Sequence, residues 1–198
     1  MSDHTRQWEE LLTPEVARGK LISASIFITA FEVLRQSIIG HPRSFFADGY
    51  DKEGPVVGRE YEAEVLSRNK SPTYASLNWL KHLGAIGDSD LQCFDRVKAT
   101  RNDLAHELHL VVLEGKNFKH VERFEELVAL LRKIEVWWVV NVEIPTNPDY
   151  DGKEIDEEGI VPGPVLMLQM MLEVVSGNEE LLNHYRKGSA NGAPLRSL

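Results

Sequence analysis

Residues 15–39 carry apolar side chains on more than one face of any helix they form. Val16, Leu21, Ile22, Ile26, Ile28, Phe31, Leu34, Ile38 and Ile39 do not reduce to a single stripe. A helix of this kind needs neighbours on several sides. Other helices are therefore expected to wrap around it, and Gly40-His41-Pro42 is expected to end it. Ser23, Ser25, Thr29 and Glu32 interrupt the apolar run over 21–34, which reads as too short and too polar to span a bilayer.

The rest of the chain supplies the wrapping. A short helix is expected over 3–12, ahead of Thr13-Pro14, and residues 43–58 read as a loop with aromatic anchors Phe45, Phe46 and Tyr50. A short helix over 59–68 follows. Ser71-Pro72 places a cap and a first-turn proline before Tyr74, Leu77, Leu80, Leu83 and Ile86, with Gly84 and Gly87 near the end. Asp88-Ser89 is expected to cap a helix running to about residue 113, with a seam of Phe94, Val97, Leu104, Leu108 and Val111. Residues 119–142 repeat the helical period, although the β-branched and aromatic tail over 136–144 also suits a strand. An acidic, Pro- and Gly-rich loop over 145–163 precedes helices over 164–175 and 178–187, and the tail from Gly188 is expected to fray. The expectation is an all-α, up-and-down helical bundle: 1–144 as the bundle, 145–163 as the acidic loop, and 164–198 as a helical extension packing on the same domain.

A length of 198 residues suits one well-buried core. The single cysteine, Cys93, forms no intrachain disulfide, and the first ten residues lack the apolar stretch of a signal peptide, so a cytoplasmic location with no membrane is expected. A net charge of −9 argues against a broad basic face for nucleic acid, but much less against a small local pocket.

Chemistry concentrates at Arg101-Asn102-Asp103-Leu104-Ala105-His106. A guanidinium fork holds phosphate oxygens, and an imidazole exchanges protons near neutral pH, so the pair suits a phosphodiester without metal. On an ideal helix Arg101 lies beside the apolar seam while His106 is about 140° away from it. A pocket using both needs the arginine to reach around the helix or a second surface to pack there, and a two-fold copy of the chain would supply one. Read from the residues alone, the plainer alternative is an arginine paired to an acid and a solvated histidine.

Other groupings point less directly to chemistry. His106-Glu107-Leu108-His109 has its histidines three apart instead of four, so no metal is expected. Asp149, Asp151, Asp156, Glu157 and Glu158 lack the spacing of a calcium loop. Gly49, Gly54 and Gly58 do not make a phosphate loop, and no cofactor is expected. Cys93 reads as a helix cysteine, and Trp137-Trp138 as packing.

Arg101-Asn102-x-x-x-His106, following Trp79-Leu80-x-x-Leu83-Gly84-x-Ile86 and then residues 88–100, resembles the HEPN superfamily of helical domains over about residues 15–142. The resemblance implies a bundle that dimerises and, in catalytic members, a metal-independent endoribonuclease of the kind found in toxin–antitoxin and phage-defence systems. It implies that His106 takes the proton of the ribose 2′-hydroxyl, Arg101 stabilises the phosphate charge and Asn102 orients the site, leaving a cyclic phosphate. RNA would be the substrate and an antitoxin or other regulatory protein a partner. The layout is also similar to mannitol operon repressor-like proteins, at Phe27-Ile28-Thr29-Ala30 and Leu83-Gly84-x-Ile86. That similarity implies a non-catalytic regulator acting through protein–protein binding.

Overall fold

The computed structural model of the chain describes residues 8–9, 12–114, 116 and 118–190. The short helix expected over 3–12 lies largely outside these residues, as does the tail beyond 190. The class is all-α with one small hairpin.

The apolar stretch forms the central helix, α1 (Pro14–Phe45), with Pro14 in its first turn. Ala24, Phe27, Ala30, Phe31, Leu34 and Ile38 are buried. The two alanines let neighbouring backbones approach, while each large side chain taken from water contributes roughly 1.5–3 kcal/mol. The whole of α1, which extends well beyond residues 21–34, is by length and composition alone long and apolar enough to cross a membrane, a test that the core helix of a bundle passes as well. Its core face is packed inside the bundle. The expected stop at Gly40-His41-Pro42 is corrected, because the helix runs on to Phe45 with buried Pro42 inside it. Proline at this position forfeits only its own N–H bond, and its carbonyl still accepts from the amide of Phe46.

The expected aromatic loop contains an antiparallel hairpin, β1 (Ala47–Asp51) and β2 (Gly54–Val57). Alternation is too short to announce it. Its two-residue turn closes through the amide of Glu53 donating to Asp51 Oδ1, with Gly54 at φ 116° where a side chain would be strained. Phe46, at the entry to the hairpin, packs edge-on to Trp79 at 5.7 Å. Helix α2 (Arg59–Glu64) and a 3₁₀ turn (Leu66–Arg68) lead to α3 (Pro72–His82). Ser71 is the residue before α3 and Pro72 opens it, but the serine hydroxyl makes no capping bond. Gly84, at φ 80°, ends α3: its amide donates to the carbonyl of Lys81, and that of Ala85 to Leu80.

Helix α4 (Asp88–Glu114) carries the Arg101 motif. Asp90 in the first turn reaches back, its Oδ2 accepting from the amide of Gly87 at 2.7 Å, whereas Asp88 and Ser89, expected to cap the helix, lie inside its first turn. Phe94, Val97, Leu104 and Val111 are buried and Leu108 packs against the core, as the seam requires. A break at Glu107 (φ −120°, ψ 24°) divides the helix just after His106. Helix α5 (His120–Trp138) then continues through a π turn (Val139–Glu143) and one α turn (Ile144–Thr146), so the segment that also suited a strand is helical. α1 packs against α3, α4 and α5. Helix α6 (Gly163–Val175) lies across α1 and α5, burying Val165 and Leu168. Asn178 accepts from the amide of Glu180 at the start of α7 (Glu180–Ala190).

Candidate functional site

Two helix faces meet at a cleft of about 390 Å³. From α1 come Phe31, Glu32 and Arg35; from α4 come Phe94, Lys98, Arg101 and Asn102; Ser71 and Thr73 complete it at the start of α3. The pairs 32/35 and 98/101 are each three residues apart, which puts both members of a pair on one face of their helix. Stacking of Phe31 on Phe94 at 5.8 Å fixes the two faces relative to each other.

Arg101 Nη2 donates to Glu32 Oε1 at 2.8 Å, and Nη1 to Asn102 Oδ1 at 3.4 Å. Its guanidinium lies 5.7 Å from the centre of the Phe31 ring. Nε is buried and has no hydrogen-bond partner among the described residues. The second carboxylate oxygen of Glu32 accepts from Arg35 Nη1 at 3.1 Å, so one carboxylate bridges two guanidinium groups. Lys98 Nζ sits 3.3 Å from the Tyr74 hydroxyl, which donates to Asp95 at 2.6 Å. Burial first, then the bond to Asp95 and its charge, push the Tyr74 phenol up to about 12. Tyr74 is therefore protonated at neutral pH and is no base.

The structure brings together Arg101 and Asn102 but not His106. The imidazole is exposed and does not line the cleft. Helical geometry holds up to residue 106, so the separation of about 140° stands. Glu107 pairs with Lys116 at 2.5 Å; that hydrogen bond is the main reason its carboxyl lies below the usual range. The acidic loop does not cover the cleft: Arg132 on α5 holds it through the carbonyls of Glu158 and Ile160.

Cys93 and Trp137-Trp138, also singled out in the sequence, are packed into the fold. Cys93 Sγ lies 3.6 Å from the Glu126 carbonyl, and burial, then the Glu126 charge, push its thiol up, which disfavours a nucleophilic thiolate. Trp138 is buried and stacks on His41 at 4.4 Å.

Two histidines gain partners that local sequence does not reveal. His41 Nε2 lies 2.9 Å from buried Glu135, 94 residues away. His120 Nε2 lies 3.1 Å from Ser23 Oγ, an arrangement with the outline of a nucleophile and its base. However, the Ser23 hydroxyl also lies 3.0 Å from the Lys20 carbonyl, and His120 Nδ1 has no orienting partner among the described residues. Burial lowers the His120 pKa further, so the group is weak as a base. Among the chemistry-bearing residues of the cleft, Glu32, Arg35 and Lys98 were not indicated by the motif. The local signals were the three-residue spacings of Glu32 with Arg35 and of Lys98 with Arg101.

No family model, curated protein or solved structure matches the chain.

Proposed function

We propose that the chain is a HEPN-like, RNA-directed protein of toxin or phage-defence type, acting as a metal-independent endoribonuclease when two copies associate. The observation that carries this reading is the clustering of Arg35, Lys98, Arg101 and Asn102 around one cleft in a chain of net charge −9. Local positive potential of this kind attracts a phosphodiester that the overall charge would repel. Arg101 stabilises charge on the phosphate and Asn102 orients the fork, while exposed His106 of the second copy takes the 2′-hydroxyl proton. The oxygen then attacks phosphorus, the bond to the 5′-oxygen breaks, that oxygen takes a proton from water and leaves as a hydroxyl, and a 2′,3′-cyclic phosphate remains. The reading places the protein in the cytoplasm and allows a protein antitoxin as its restraint.

The test is cleavage of mixed RNA in the presence of chelator by wild type, Arg101→Ala and His106→Ala. Activity is expected for the wild type alone. A folded wild-type dimer without activity would contradict the reading.

A second reading is favoured by the Glu32–Arg101 bond and the outward position of His106: a non-catalytic regulator, similar to mannitol operon repressor-like proteins, that binds a protein partner. An inactive wild type that captures neither RNA nor phosphate would support it.

A further inference from the structure

Glu32 occupies the cleft as an anion would. Its two oxygens are divided between Arg101 and Arg35, at 2.8 and 3.1 Å, which is how a phosphate bridges two guanidinium groups. The carboxylate is also replaceable. Its side chain is 40% exposed, so it can rotate into water without opening the core. Arg101 meanwhile uses its fork incompletely, since Nη2 is bonded to Glu32 but the adjacent Nε has no partner. A phosphate offers an oxygen to each of these donors, whereas Glu32 satisfies only one of them.

The charge balance points the same way. Arg35, Lys98 and Arg101 carry three positive charges against one from Glu32, a net charge of +2 among the residues that line the cleft, with Asp95 behind the Tyr74 hydroxyl that Lys98 meets. Lys98 rests against Tyr74, with Nζ 4.6 Å from the ring centre, so its ammonium is held at the rim instead of trailing into solvent.

We propose that Arg35 and Lys98 join Arg101 in a phosphate subsite for single-stranded RNA, and that Glu32 is the internal anion an RNA phosphate displaces. The proposal rests on the Arg101 cleft being the phosphate-binding half of the site, and adds two binding residues and a gate to it. The gate lowers affinity for isolated phosphate and favours a chain whose other contacts help to expel the carboxylate.

The test uses the full-length protein and a 2′-O-methyl oligoribonucleotide, which lacks the attacking hydroxyl and cannot be cleaved. Glu32→Gln is expected to tighten binding by about fivefold or more, and Glu32→Asp, which keeps the charge but shortens the bridge, by a smaller factor. Arg35→Ala and Lys98→Ala are expected to weaken it by about threefold or more each. Glu60→Gln, at an exposed position outside the cleft with the same charge change, is expected to shift it by less than about twofold. Equal tightening by Glu60→Gln and Glu32→Gln would overturn the gate, as would unchanged or weaker binding in both Glu32 variants. His106→Ala cleavage separates the two failures. A gate that fails while cleavage still depends on His106 leaves the proposed function standing, whereas neither binding nor cleavage by the wild type overturns both.

Discussion

Arg101 and His106 lie on one helix but open onto different surfaces: the guanidinium lines the cleft against α1, and the imidazole stands exposed just before the break at Glu107. A phosphate bound by Arg101 is thus on the wrong side of α4 for the histidine of the same chain. Binding and proton transfer should separate by mutation. Arg101→Ala is expected to weaken binding of an uncleavable oligoribonucleotide by about tenfold, whereas His106→Ala leaves binding unchanged and removes cleavage by a factor of about 10²–10⁴. Fluorescence anisotropy and product analysis on the same preparations read the two quantities.

Beneath this helix, Leu104 is fully buried between the two motif residues. Leu104→Ala is expected to destabilise the protein by about 2–5 kcal/mol, since the surrounding side chains collapse only partly into the space left. Urea denaturation measures it, and a loss below about 1 kcal/mol would mean that α4 is less tightly packed than its seam implies.

His41 and Glu135 tie the end of α1 to α5 through one bond of 2.9 Å with little exposure on either side. His41→Ala leaves the carboxylate buried without its partner and is expected to cost about 3 kcal/mol. The double variant His41→Leu with Glu135→Met removes the orphaned group and should recover most of that loss. No recovery in the double variant would place the cost in lost stacking on Trp138 instead.

Much of this architecture was legible. The many-sided apolar pattern of α1 and the Phe94–Val111 seam follow from composition and a 3.6-residue period, which backbone geometry makes hard to disguise. The hairpin was hidden because four- and five-residue strands offer too few alternations. The passage of α1 through Pro42 was hidden because a proline near the last turn can be tolerated. The motif named Arg101 and Asn102, yet Glu32 lies 69 residues from Arg101 and meets it only through packing of α1 on α4. The same dependence hid the His41–Glu135 bond. Long-range pairings are properties of the packed bundle and leave no periodic trace.

Asp90 gives α4 a pH-dependent start. Burial acts to raise its carboxyl, but the hydrogen bond from Lys133, the Gly87 amide and the Lys133 charge together hold it below the ordinary value. A depressed folded-state pKa contributes stability above the unfolded value and loses it as pH falls below about 4. Asp90→Asn, which keeps an acceptor for Gly87, is expected to cost about 0.5–1 kcal/mol at pH 7, modest because Lys133 is half exposed. The difference from wild type should be smaller at pH 3 than at pH 7, because the contribution is lost as pH falls through the lowered folded-state value. Denaturation at the two pH values checks both the size and the sign.

The composite site is tested most directly by mixing two inactive variants. Arg101→Ala and His106→Ala chains, unfolded together and refolded, form heterodimers in which one of the two sites regains its arginine from one chain and its histidine from the other. With random pairing, about a quarter of wild-type RNA cleavage is expected to return, from a mixture whose components are each inactive alone. Recovery near that level is the expected result. No recovery, with heterodimers demonstrated in the mixture, would contradict a site shared between two copies.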